Sequence, residues 1–270
     1  MMNPFYWLEV RIRASEKRLW IIALFFLISV LLIGGGILAA AVVDGGSGIV
    51  PGELGQSITY TLLFWHGAII IVLAPLASAG RIAQEREQRT LPALVNTNVP
   101  PGKIVWGKLA AAWTFIFWLS SLVLPFLAIG SIWGGIPVWK VCSFLVINMV
   151  VSMVIASMAL GFSGIMRRSL TAYLVTGTFM LAWMLVLPIL GSISMAIVTP
   201  LDDSEVLEKL LSYIFFFNNP FYPTIMIAAD GMDFQPLEIV WQLTYCFGSW
   251  LLLAATGVLM AIHGLKRVVY

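Results

Sequence analysis

Residues 19–43 read LWIIALFFLISVLLIGGGILAAAVV, without one charged side chain. A helix needs about 20 apolar residues to cross the hydrocarbon core of a bilayer, and this run exceeds that. Its apolar residues are continuous rather than alternating, which fits a helix and not a barrel strand. It is too long for the apolar region of a signal peptide and no clean A-x-A site follows it, so it is expected to stay in the protein.

Working outward from this run, similar ones recur at about 57–79, 109–132, 138–165, 170–198 and 239–265. The whole chain of 270 residues is 60% hydrophobic and only 10% charged, against about 25% charged in a soluble domain. Too few charges exist to cover a water-facing surface. In lipid the backbone must satisfy its own hydrogen bonds, so helices are the expected solution. The sequence therefore predicts an all-α integral membrane protein of six transmembrane helices. It forms one transmembrane domain over 1–270, because no polar segment is long enough to build a core alone.

The charges order the spans. Of the fifteen Lys and Arg, only Lys140 and Lys209 fall outside the N-terminus, the 81–108 segment, the pair Arg167–Arg168 and the C-terminus. The positive-inside rule then puts both termini in the cytoplasm of a cell-membrane protein. Nine of the thirteen acidic residues sort to the other side: Asp44, Glu53, Asp202, Asp203, Glu205, Glu208, Asp230, Asp233 and Glu238.

Three segments lie outside the spans. In 1–18, Phe5, Leu8, Ile12 and Leu19 recur at helical spacing, which predicts an amphipathic helix on the membrane surface. In 81–108, RIAQEREQRTLPALVNTNVPPGKIVWGK, the pairs Arg81/Glu85 and Glu85/Arg89 are spaced to support a short solvated helix. Pro92 is expected to end or bend it, and Pro100, Pro101 and Gly102 to turn the chain into the third span. In 199–238, Asp202–Ser204 offer a helix cap. Val206–Phe217 is apolar but too short to span, Asn218–Pro223 breaks it, and Thr224–Ala229 is apolar again. Two short outer re-entrant or interfacial helices before the last span are expected. The aromatic run Tyr213–Phe217 serves either as a headgroup belt or as part of a gate.

Chemistry-bearing groups are sparse. No paired carboxylates, histidine cluster or Ser–His arrangement sits at membrane depth, which argues against an intramembrane enzyme. Ion-coupled transporters usually keep ionisable residues near midplane. Here His66 is the one plausible titrating group, and a hydrogen bond in helix packing is its expected role. Cys142 and Cys246 lie in apolar runs, so neither a disulfide framework nor a metal site is expected. Gly34–Gly36 offer close helix approach or a kink. Gly102-x-x-x-x-Gly107-Lys108 fits most of a phosphate loop, but Leu109 stands where Ser or Thr must hold magnesium. The chain therefore binds no cofactor of its own, and no nucleic-acid partner is expected.

One resemblance adds to this reading. Glu85-Arg86-Glu87-x-x-Thr90-Leu91-x-x-Leu94, then Thr97, Pro100 and Lys103-Ile104-x-x-Gly107-Lys108, resembles the signature of type-2 ABC export permeases. That family typically shows E-R-E-x-G-T-L-x-x-L, then T-P, then I-x-x-G-K. Arg89 stands where the pattern has Gly, and Asn98-Val99 separates Thr97 from the proline. Asn3-Pro4 and Glu9-Val-Arg11-Ile-Arg13 look like the N-terminal interface helix of bacterial members. Arg167-Arg168-Ser169 between the fourth and fifth spans also fits.

The resemblance implies the permease subunit of an ATP-driven exporter. A separate ATP-binding subunit, holding ATP and Mg, would dock on a cytoplasmic coupling helix within 81–103. Glu85, Arg86, Glu87, Arg89, Thr90 and Leu91 are the implied contact. A second copy or a homologous permease would complete the pathway among membrane lipids. Short outer helices would close the exit, with Phe215, Phe216, Phe217, Pro220, Phe221 and Tyr222 as the implied gate. The alternative is a non-transporting anchor or an assembly or regulatory subunit, which would carry the same elbow.

Overall fold

The computed structural model describes residues 4–15, 17–43, 51–91, 99–134, 136–198, 205–212, 214–215, 218–224 and 236–269. All the regular structure among them is helical. Helix α1 is Pro4–Ser15, α2 Lys17–Val43, α3 Pro51–Ser78, α4 Arg81–Glu87, α5 Pro101–Ser121, α6 Leu124–Gly134 and α7 Val138–Ile165. Then follow α8 Ser169–Leu181, a π-turn Ala182–Val186, α9 Leu187–Val198, α10 Glu205–Ser212 and α11 Pro236–Val269. Six of these helical stretches are long and apolar enough to cross a membrane, as the six apolar runs predict. Many outward side chains are large and apolar, among them Leu32, Phe117, Ile132 and Leu251. That pattern suits a chain whose solvent is lipid.

Several boundaries move, each for a local reason. The third span, expected to run unbroken over 109–132, is two helices, α5 and α6. Pro125 has no N–H for the carbonyl of Ser121 and clashes with it, so the helix stops at Ser121 and restarts. It also begins eight residues early, at Pro101, because proline suits the first turn of a helix. The phosphate-loop-like string is thus helical from its first glycine, and no phosphate-cradling loop exists there. Helix α4 ends at Glu87, ahead of Pro92.

Gly34, Gly35 and Gly36 lie within the unbroken α2 with open space around them. Close approach is made elsewhere. A Cβ on Gly161 would lie 2.6 Å from the carbonyl oxygen of Gly257, and one on Gly264 would strike Gly164. Small residues on α7 and α11 let the two backbones touch, the usual way helices pack where no hydrophobic drive exists between them.

The chain forms two compact units. One comprises 1–77 and 102–152, the other 78–101 and 153–270. In the first, α1 is held by its polar residues. Glu9 is ion-paired with Lys108 of α5, Arg13 donates to the carbonyl of Ala77 at 3.0 Å, and the hydroxyls of Tyr6 and Thr114 lie 3.0 Å apart. Leu8 is 52% exposed while Arg13 is 3% exposed, so the apolar side of α1 faces outward and its charged side faces protein. His66 corrects an expectation. Among the described residues neither ring nitrogen has a hydrogen-bond partner, and the ring packs edge-on against Phe26.

Candidate functional site

The stretch singled out by sequence, 81–91, lies in the second unit and is built from helix ends. Gly80 precedes α4, and with no side chain there the first amides of the helix need other acceptors. Ser163, near the end of α7, supplies one. Its Oγ accepts from the N–H of Ile82 and of Ala83, both at 3.0 Å.

Arg86 returns the favour. Its guanidinium donates to the carbonyls of Met166 at 2.7 Å and Gly164 at 2.8 Å, and to Gly264 of α11 at 3.3 Å. The first two lie at the C-terminal end of α7, where a cation is favoured by the dipole and orphan oxygens need donors, and the third belongs to the penultimate turn of α11. Glu87 does the opposite work at the start of α8. Its carboxylate accepts from the N–H of Ser169 at 3.0 Å and from its hydroxyl at 2.8 Å. An anion at a helix N-terminus is favoured by the same dipole.

Helix α4 then closes on itself. The N–H of Thr90 bonds the carbonyl of Glu85 at 2.9 Å, and that of Arg89 bonds Arg86 at 3.2 Å. This is a Schellman cap, whose outer residue takes the left-handed conformation. Arg89 is that residue, with φ of 58°. It occupies the place where the permease pattern has glycine, the residue that adopts this conformation without steric cost. Being past the last helical turn, Arg89 does not extend the Arg81–Glu85 face.

The six residues singled out by sequence are thus sorted. Arg86 and Glu87 bond within the chain, and Leu91 is fully buried. Glu85 is half-buried, and Arg89 and Thr90 are exposed. Sequence reasoning missed Ser163, which carries no signal in an apolar run, and the exposed Gln84 and Gln88.

The family signature fits this geometry, since Arg86, Glu87 and the turn at Arg89 each have a structural task. The family model of the ABC-2 family transporter protein matches residues 4–265. The chain belongs to the ABC-2 transporter family. A comparison with curated proteins yields no match. Membership makes it a multi-pass membrane protein of the permease type. Among the described residues of this ABC-2 chain, no group of three His, Cys, Asp or Glu is placed to hold a metal. Among the described residues neither Cys142 nor Cys246 is in a disulfide.

The gate residues expected on the outer loop divide likewise. Phe216 and Phe217, with Tyr213, lie outside the described residues. Phe215 is half-buried, and 218–224 is bolted down. The carbonyl of Asn218 accepts from the indoles of Trp183 at 2.9 Å and Trp250 at 3.2 Å. The hydroxyl of Tyr222 donates to Gln242 at 3.1 Å. Pro220 is buried and Phe221 half-buried.

In the other unit a groove of about 910 Å³ runs along α5, lined by Trp106, Ala110, Trp113, Phe117 and, from α7, Val146 and Met149. The α5 members recur every three or four residues, one face of the helix. The lining suits an apolar or amphipathic molecule.

Proposed function

We propose that this chain is the membrane permease of an ATP-driven exporter. It works with a separate ATP-binding subunit and with a second copy or a homologous permease, and both its termini are cytoplasmic. Helix α4 and its cap act as the coupling element, α1 as an interfacial helix, and α10 as a short outer helix. The observation that carries this reading is the fastening of α4. Seven residues of helix bond to the ends of α7, α8 and α11, and still present an exposed edge. A loop with no mechanical task has no need of such fastening. Family membership supports the transporter role, and the outward apolar side of α1 supports its lying at the membrane surface. The absence of charge along the α5 groove supports an apolar or amphipathic cargo.

The test is purification of the tagged chain from its native membrane in mild detergent, with identification of stoichiometric partners by mass spectrometry. A soluble subunit carrying a phosphate loop is expected. A chain that elutes alone, or with partners that bind no ATP, defeats the exporter reading and favours an anchor.

A further inference from the structure

Helix α4 is linked in sequence to α3 and α5, yet it is bonded to other helices. Residues 78–101 form one compact unit with 153–270, whereas α5 up to Ser121 and α3 up to Ala77 belong to the other unit. The amides of Ile82 and Ala83 and the side chains of Arg86 and Glu87 tie α4 to this second set. Ser163 and the carbonyls of Gly164 and Met166 close the end of α7. The carbonyl of Gly264 belongs to the last turns of α11. Ser169 opens α8.

These contacts resist displacement. Those of Arg86 and Glu87 are charge-assisted, and apart from the Ser169 hydroxyl they grip backbone groups. A shift of α4 along its axis must stretch them or carry α7, α8 and α11 with it. A helix is stiff along its axis, so a load applied at its end is transmitted along its length. Meanwhile Gln84, Gln88 and Arg89 are exposed, and Gln84 and Gln88 share one face by their spacing of four.

We infer that Arg86 and Glu87, with Ser163 and Ser169, are positioning residues that pass a displacement of α4 into α7, α8 and α11, while docking of the ATP-binding subunit falls to Gln84, Gln88 and Arg89. The inference rests on the permease reading above. It reassigns two of the residues that the family resemblance implies as partner contacts.

The experiment uses the full chain with its co-purified ATP-binding subunit. Three variants are compared with wild type: Glu87→Gln, Ser169→Ala and Arg89→Glu. Two readouts are taken on each. One is the amount of subunit retained on size exclusion. The other is amide hydrogen exchange at 160–172 and 258–268, with and without trapping by ATP, magnesium and vanadate. In wild type, trapping is expected to change exchange at both segments. Glu87→Gln and Ser169→Ala should keep the subunit and lose that response at 160–172, and Arg89→Glu should lose the subunit. Ser169→Ala guards against misfolding, because the backbone bond to Glu87 survives it.

Three results overturn the inference: release of the subunit by Glu87→Gln, a full response in both Glu87→Gln and Ser169→Ala, or a wild-type response confined to α3 and α5. Failure of wild type to bring down any ATP-binding subunit defeats instead the permease reading beneath it, and is seen before any variant is made.

Discussion

The carboxylate of Glu87 receives both the backbone N–H and the hydroxyl of Ser169, so the first turn of α8 is closed by a residue of α4. Replacing Glu87 by Gln removes the charge but keeps an acceptor. Because Glu87 is exposed, the loss is expected to be about 1 kcal/mol, below the range for buried charged bonds. Ser169→Ala should cost about 0.5–1 kcal/mol, since the backbone bond remains. Thermal unfolding followed by tryptophan fluorescence in detergent checks both, and an unchanged midpoint in both would show the cap to be idle.

Arg86 should matter more. Its guanidinium serves the carbonyls of Gly164 and Met166 at the end of α7 and reaches that of Gly264, and an acceptor left unmet at the helix end costs about 1–3 kcal/mol. Arg86→Ala is therefore expected to lower stability by about 3 kcal/mol or more, enough to reduce the yield of folded chain. Arg86→Lys should recover only part of this, because an ammonium cannot reproduce the planar fork. The yield of monodisperse protein in the three forms orders them Arg, Lys, Ala if the fork is what counts.

The cap at Arg89 gives a stabilising prediction. A side chain in the left-handed region costs about 1 kcal/mol relative to glycine. Arg89→Gly should therefore raise the unfolding midpoint by the equivalent of about 1 kcal/mol, with the Thr90–Glu85 bond kept. Arg89→Val, β-branched at the same φ, should lower it. A glycine variant no more stable than wild type would mean that the arginine is held there by contacts worth as much as the strain.

How much of this was legible in sequence follows from what each feature depends on. The six spans were readable because an apolar run of that length has one stable arrangement in lipid. The end of α7 and the start of α8 fell within a residue of expectation, since Arg167–Arg168 interrupts the pattern. The signature at 85–91 was readable as a motif, but its division into inward and outward residues was not. Arg86 and Glu87 bond residues about 80 positions away, and no local pattern encodes that. The docking of α1 through its polar side was hidden for the same reason. Periodicity finds its apolar face but cannot say that the polar face has a partner in Lys108.

That partner supplies a double-mutant test. Glu9 and Lys108 are both buried, so removing either takes the ion-pair partner from a buried charge, at a cost of about 3–5 kcal/mol. Glu9→Leu and Lys108→Met should each be severely destabilising. Combined, they replace the pair by apolar groups of similar size and should come close to wild type. The unfolding midpoints of the four proteins check this. Additive losses in the double variant would show that each charge is held by other groups.

Pro188 and Asn219 invite the reverse design, in which one substitution repairs another. Proline at 188 has no N–H for the carbonyl of Met184 four residues earlier, and the helix loosens into the π-turn at 182–186. The side-chain amide of Asn219 donates to that same carbonyl at 3.1 Å, while its Oδ1 accepts from the N–H of Phe221 at 2.8 Å. Asn219→Ala thus strands an acceptor in an apolar setting and should cost about 1–3 kcal/mol. Pro188→Ala restores an N–H within reach of Met184. In the Asn219→Ala background it should recover a good part of the loss, whereas alone it should change little because the carbonyl is already served. Thermal midpoints of the two single variants and the double give the coupling directly. If Pro188→Ala shifts stability equally in both backgrounds, the amide of Asn219 is not standing in for the bond that the proline removes.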